Sequence, residues 1–177
     1  MIIKNFKSDS TEVQKFVDSV LAECDKDIAT WYSNPKRIAR YDHCSLCIVD
    51  GKPIASSFVE PMGNWWRVGQ IHYVLKEYRK DYPSTMLRVG GFLDHHYKTL
   101  DGNGIFFSIH VYNRRMKVQA EMMHKRLINT YGKELTTLRD QIIPVGEYTL
   151  RGRDVSQEVF AIPKQNFNKD EFLESVL

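Results

Sequence analysis

The sequence predicts an α/β (α+β) fold, a mixed and mostly antiparallel central sheet of about seven strands flanked by helices. Three features predict it. Near the start, apolar residues pass from the two-residue alternation of a strand to the three-and-four spacing of a helix. Between 43 and 75, three strand-type segments follow one another with glycine turns between them. From 86 onward, helical and strand patterns alternate and end in a hairpin.

The first seven residues alternate as a short strand. Asp9 and Ser10 then offer an N-cap, with Glu12 three residues after Asp9 as in a capping box. Val13, Phe16, Val17, Val20 and Leu21 form one apolar stripe of a helix. Ile28, Trp31 and Tyr32 extend a second helix, which Asn34 and Pro35 interrupt. Residues 43–49 read as a strand, Asp50 and Gly51 as a tight hairpin turn, and 53–60 as the partner strand. A turn at Met62, Gly63 and Asn64 leads into a long strand from 65 to about 75.

After a turn at Pro83, Met86, Val89, Gly90, Leu93, Tyr97 and Leu100 share one helical face, and the run Asp101 to Gly104 ends that helix. Residues 105–111 are a buried-type strand. A helix from about 114 to 130 follows, with Met116, Ala120, Met123 and Leu127 along one side. Segments 142–150 and 155–162 make a final hairpin around Gly152. The tail from 163 is polar until Phe172 and Leu173, where a short helix or a frayed end is expected. Nothing repeats and no linker divides the chain, so one domain over 1–177 is expected.

With 177 residues the chain is long enough to bury a core, and 42% hydrophobic with 27% charged residues is an ordinary globular balance. No apolar run approaches membrane-spanning length, and the first seven residues lack a signal-peptide core, so a cytoplasmic protein with no membrane partner is expected. A net charge of +3 does not point to nucleic acid, and it suits a polyanionic small molecule equally well. Cys24, Cys44 and Cys47 are too sparse for a disulfide framework. Cys44 and Cys47 have CxxC spacing beside His43, but strand residues three apart face opposite sides and cannot share a metal. His95 and His96 point about 100° apart on a helix, and His110 has no ligand spacing to another histidine, so no metal site is expected.

Two segments carry a family resemblance. The run Val74-Leu75-Lys76-Glu77-Tyr78-Arg79 resembles the V-x-P-x-Y-R strand exit of the GNAT N-acetyltransferase superfamily. The run Ile109-His110-Val111-Tyr112-Asn113 resembles the V-x-x-N that ends the family's next strand and opens its last helix. Together with the element order, the resemblance covers nearly the whole chain. It implies a divergent member with acetyl-CoA as acyl donor and a small-molecule or peptide amine as acceptor. In the family the strand exit continues Arg/Gln-x-x-Gly-x-Gly/Ala, whose backbone amides cradle the donor's pyrophosphate. Here Arg79 holds the first position, Tyr82 replaces the first glycine and Ser84 the second small residue. The implied donor-binding residues are thus Val74, Leu75, Arg79, Lys80, Asp81, Tyr82, Pro83, Ser84, Thr85 and Asn113.

The residues have a physical reading of their own. A turn entering a helix presents unpaired N–H groups and the positive end of the dipole, which favours an anion. Ser84 and Thr85 are N-cap types and Pro83 fits a helix entrance, while Arg79, Lys80 and Arg88 add positive charge. Capping of a helix on a surface turn accounts for the same Pro-Ser-Thr run. For the chemistry, the resemblance implies direct attack of the amine on the thioester, with a base and a tyrosine acid. His72 shares a strand face with Gln70 and Val74, and its imidazole titrates near neutrality, which makes it the candidate base. A strand histidine satisfied by a neighbour is the plain alternative. The family's tyrosine position in the last helix holds Ala120, and Tyr112 is the candidate in its place, with Tyr131 the other choice. Trp65 and Trp66 face opposite ways, so one packs in the core and the other is left to line a cleft or pack on the surface.

Two functions follow from the resemblance. One is an acetyl-CoA-dependent N-acyltransferase acting on a primary amine, supported by Arg79, Asn113 and the element order. The other is a catalytically inactive GNAT-fold binding or structural module, supported by Tyr82 and Ala120. No nucleic-acid recognition motif is present, and a homodimer is left open.

Overall fold

The computed structural model describes residues 2–79, 82–111 and 141–177, with the backbone alone for 70–72 and 82–90. The elements run β1 (Ile2–Lys7), α1 (Thr11–Leu21), α2 (Lys26–Tyr32), α3 (Pro35–Ile38), β2 (His43–Val49), β3 (Lys52–Met62) and β4 (Trp65–Val74). A 3-10 turn (Lys76–Tyr78) leads to α4 (Tyr82–Thr99), then β5 (Gly104–His110), β6 (Ile143–Tyr148), β7 (Gln157–Pro163) and α5 (Lys169–Val176). The strand order is β1-β2-β3-β4-β5-β7-β6. β4 and β5 pair in parallel, whereas β1–β2, β2–β3, β5–β7 and β6–β7 are antiparallel. Among the described residues this is the mixed, mostly antiparallel sheet of about seven strands that the sequence predicts. The helix expected over 114–130 lies outside the described residues.

The contacts divide the chain into two compact units, Met1–Glu60 with Ile71–Phe92, and Pro61–Gln70 with Leu93–Leu177. In the first, Ser10 caps α1 by accepting from the Val13 amide at 3.3 Å. Ser10 rather than Asp9 is the cap, which puts Glu12 at the second helical position, one short of a capping box. The predicted stripe faces inward: Val13, Phe16, Val17 and Val20 are buried with Tyr32, Ile38, Tyr41, Cys44, Leu46, Phe58 and Tyr73. Each such side chain contributes roughly 1.5–3 kcal/mol on burial. Cys47, Ile54, Ala55, Val74 and Phe92 form a separate cluster. Cys44 and Cys47 therefore do face opposite sides of β2, as the strand period requires. The β2–β3 turn has Asp50 at φ 50° and Gly51 at φ 77°, the pair of positive values that a two-residue hairpin of type I′ demands. A register shift follows at Cys47/Ile48, next to Pro53, which has no N–H to give the ladder.

In the second unit the first half of β4 pairs with β5 from Trp65↔Gly104 to Arg67↔Phe106. β5 pairs along its other edge with β7 from Gly104↔Pro163 to His110↔Gln157. Trp65, Phe106, Val145, Leu150, Val159, Ala161, Phe172 and Val176 make this unit's core. The tail is ordered as α5, capped by Asn168, whose side chain accepts from the amides of Asp170 and Glu171. Phe172 reaches edge-on to Trp65 at 4.8 Å and to Phe106 at 5.3 Å between ring centres. Of the two adjacent tryptophans, Trp65 is the core residue, and Trp66 donates its indole N–H to Asp101 at 3.1 Å.

Candidate functional site

Most of the described candidate residues belong to the first unit, around the exit of β4. The strand ends at Val74, and the Leu75 amide donates to the Ile54 carbonyl at 2.9 Å, which ties the exit to β3. Tyr73, Val74 and Leu75 are all buried. Beyond them the backbone closes a 3-10 turn, with the Tyr78 amide donating to Leu75 and the Arg79 amide to Lys76. Arg79 folds back over this turn. Its Nε donates to the Val74 carbonyl at 2.5 Å, and its guanidinium lies 4.5 Å from the centre of the Tyr73 ring. The side chain itself stays exposed.

A carboxylate that the sequence reading did not single out completes the exit. Glu23, just past α1, accepts on one oxygen from the Tyr73 hydroxyl at 3.2 Å and from the Lys76 amide at 2.7 Å. Burial raises the Tyr73 phenol above its ordinary value, and the Arg79 charge beside it pulls the other way. No local signal marks Glu23, because its partners lie 50 and 53 residues farther along the chain.

The predicted phosphate turn differs from expectation at its far end. α4 begins at Tyr82, so Tyr82, Pro83, Ser84 and Thr85 form its first turn rather than a loop before it. Proline is tolerated there because the first N–H groups of a helix have no intrahelical acceptor in any case. It also follows that position 82, as a helical residue of negative φ, has no conformational need of glycine. His72 lies on β4, its side chain outside the described residues. Lys80, Asp81, Tyr112 and Asn113 also lie outside the described residues.

The second unit holds a buried polar network. Arg67 on β4 is fully buried and donates through one terminal nitrogen to Ser108 on β5 at 3.0 Å and to Gln157 on β7 at 3.1 Å. The Ser108 hydroxyl also donates to Gln157. An arginine between Trp66 and Val68 on a strand is the sequence signal for such a network. Among the described residues no group of three His, Cys, Asp or Glu side chains is placed to hold a metal ion, and no helix is long and apolar enough to cross a membrane.

No family model and no curated protein matches the sequence. Solved structures do match. A Bacteroides thetaiotaomicron protein described as a GNAT-family acetyltransferase aligns with a TM-score of 0.54 and 12% identity, over 98% of this chain and 92% of that one. The aminoglycoside acetyltransferase AAC(6')-Ib, solved with coenzyme A, aligns at 0.55 and 9% identity over 98% of each chain. The ribosomal-protein-S18-alanine N-acetyltransferase of Escherichia coli aligns at 0.50 and 10% identity over 94% of this chain and 97% of that one. At such identities the likeness is one of fold, and the chain has the fold of the GNAT acetyltransferases.

Proposed function

We propose that the chain, acting as one domain, is an acetyl-CoA-dependent N-acyltransferase that moves an acetyl group to a primary amine. The observation that carries this reading is the near-complete alignment with the GNAT fold, including a relative solved with coenzyme A. The exit of β4 fits such a donor. Exposed Arg79 and Lys76 stand close before an 18-residue helix, whose first amides are unpaired within the helix. In this reading Val74 and Leu75 line the exit beside the thioester, held in place by the Arg79 and Ile54 contacts of their backbone. Arg79, Lys80, Asp81 and the first turn of α4, Tyr82 to Thr85, receive the phosphates, and Asn113 completes the donor site.

Transfer is direct. The acceptor nitrogen bonds to the carbonyl carbon, the carbon–sulfur bond breaks, the ammonium proton passes to His72, and the departing sulfur takes a proton from Tyr112. The acceptor is a small-molecule or peptide amine. A cytoplasmic location belongs to the same reading and is supported by three cysteines that are free thiols.

Calorimetric titration of the full chain with acetyl-CoA tests it, followed by thiol release with a panel of primary amines. Saturable binding that Arg79→Ala weakens about tenfold or more is expected, the worth of a charge-assisted contact. The absence of heat at about millimolar donor would sink the reading. Binding without turnover on any amine would favour the inactive module instead.

A further inference from the structure

At the exit of β4 the Glu23 carboxylate uses only one of its two oxygens. Oε1 accepts from the Tyr73 hydroxyl at 3.2 Å and from the Lys76 amide at 2.7 Å. Among the described residues no donor reaches Oε2, and no cationic side chain forms an ion pair with the group. Two cations of the same unit are committed elsewhere. Arg79 donates to the Val74 carbonyl while its guanidinium lies over the Tyr73 ring, and Lys52 pairs with Glu77 at 2.5 Å. Lys76 meets the carboxylate through its backbone only.

The fold fixes where this carboxylate stands. Glu23 lies just past α1, and its amide still donates to the Val20 carbonyl at 3.1 Å, so the end of the helix holds its backbone. Val20, Tyr73 and Leu75 belong to one buried cluster, which ties the helix end and the strand exit to the same core. The Glu23 side chain is therefore gripped from both elements, yet the residue is only partly buried and solvent reaches it. A held carboxylate with one oxygen left over is a ready acceptor for a donor that comes from outside.

An ionised carboxylate only accepts, and a cationic donor gives it the strongest bond. We propose, resting on the transferase reading, that Glu23 is a specificity-determining residue that binds a second ammonium group of the acceptor, whose class is then a diamine. The bound group is not the attacking one. A nitrogen must lose its proton before it attacks a thioester, whereas a carboxylate beside it favours the charged form. Oε1 bonds the amide of the residue directly after Leu75, so the carboxylate flanks the same exit as the thioester and one short molecule can reach both. The charges of the exit are then divided between the substrates, the donor's phosphates to Arg79 and the acceptor's free ammonium to Glu23.

The test is thiol release from acetyl-CoA by the full chain with putrescine and with butylamine, which share a carbon chain and differ by one ammonium group. The parent's kcat/KM should favour putrescine about tenfold or more, the worth of a charge-assisted contact. Glu23→Gln keeps an oxygen for Tyr73 and Lys76 but loses the charge, and its preference should shrink to within about twofold. Equal use of both amines by the parent would overturn the proposal. So would a preference that Glu23→Gln retains, or no turnover of putrescine by a chain that binds acetyl-CoA in calorimetry. A parent that binds no acetyl-CoA would bring down the transferase reading itself, and the proposal with it.

Discussion

Raising the pH should unfold the chain through two buried groups that ionise only when exposed. Tyr32 is 2% exposed, with its hydroxyl 3.5 Å from Ser56, and Cys44 is fully buried. Burial pushes both groups far up from ordinary values of 10.0 and 9.0, while hydrogen bonds from Ser56 and Ser57 offset only part of it. Both stay neutral in the folded state through the alkaline range, whereas the unfolded chain releases both protons. The unfolded state then binds fewer protons, so stability is complete below the unfolded values and falls as pH rises above them. At about pH 10.5 the thiol contributes a loss of about 2 kcal/mol and the phenol a loss of just under about 1 kcal/mol. With a urea dependence of about 1–3 kcal/mol per molar, the midpoint should drop by about 1–3 M between pH 8 and 10.5. The Tyr73 phenol and the Lys52 ammonium, which Glu77 holds at 2.5 Å, also have raised values and act in the same direction. A double variant, Tyr32→Phe with Cys44→Ala, separates the contributions, because it removes only the two buried groups. Its midpoint should fall distinctly less over the same interval. Equal pH dependence in the double variant and the parent would refute the reasoning, as would a midpoint unchanged by alkali.

Three further outcomes follow from the packing. Phe172→Ala should cost about 3–5 kcal/mol, because the ring is fully buried between Trp65 and Phe106. At about 2–4 °C per kcal/mol, thermal denaturation should show a Tm lowered by about 6–20 °C, and a loss under about 1 kcal/mol would mean that α5 is not docked as described. Gly104→Ala should leave little folded protein in a solubility assay, whereas Gly51→Ala, whose added Cβ meets nothing within 4 Å, should cost about 1–2 kcal/mol from its positive φ alone. Glu23→Ala should destabilise the chain by about 0.5–1.5 kcal/mol in urea unfolding, since the part-buried Tyr73 hydroxyl loses its acceptor. Glu23→Gln keeps an oxygen in that place and should cost less, and the opposite ranking would be evidence against the Glu23–Tyr73 contact.

What was legible in the sequence is what local chemistry decides. The β2–β3 hairpin could be placed because Asp50 and Gly51 meet a backbone requirement, two positive φ values in succession, that few residue pairs satisfy. α1 could be placed because its stripe needs only a core on one side, whatever supplies it. α4 starts earlier than its cap-type residues suggest, because Pro83, Ser84 and Thr85 also fit a first turn whose N–H groups have no helical acceptor. The tail helix was undecidable locally. Phe172 and Leu173 with Val176 and Leu177 span barely more than one turn of apolar spacing, and the helix gains its stability from Trp65 and Phe106, far away in the chain.

The same division runs through the candidate site. Arg79 reaches Val74 and Tyr73 across five and six residues, a distance that a motif can encode, so the strand exit could be recognised from the sequence. Glu23 reaches the same exit from the end of α1, and only the assembled sheet brings it there. A residue of that kind constrains the exit more tightly than the motif does. Its one oxygen holds both the Tyr73 hydroxyl near the end of the strand and the Lys76 amide that opens the 3-10 turn leading to Arg79. A transferase that binds its donor at this exit therefore depends on Glu23 for the position of the arginine, even though no carboxylate belongs to the motif itself.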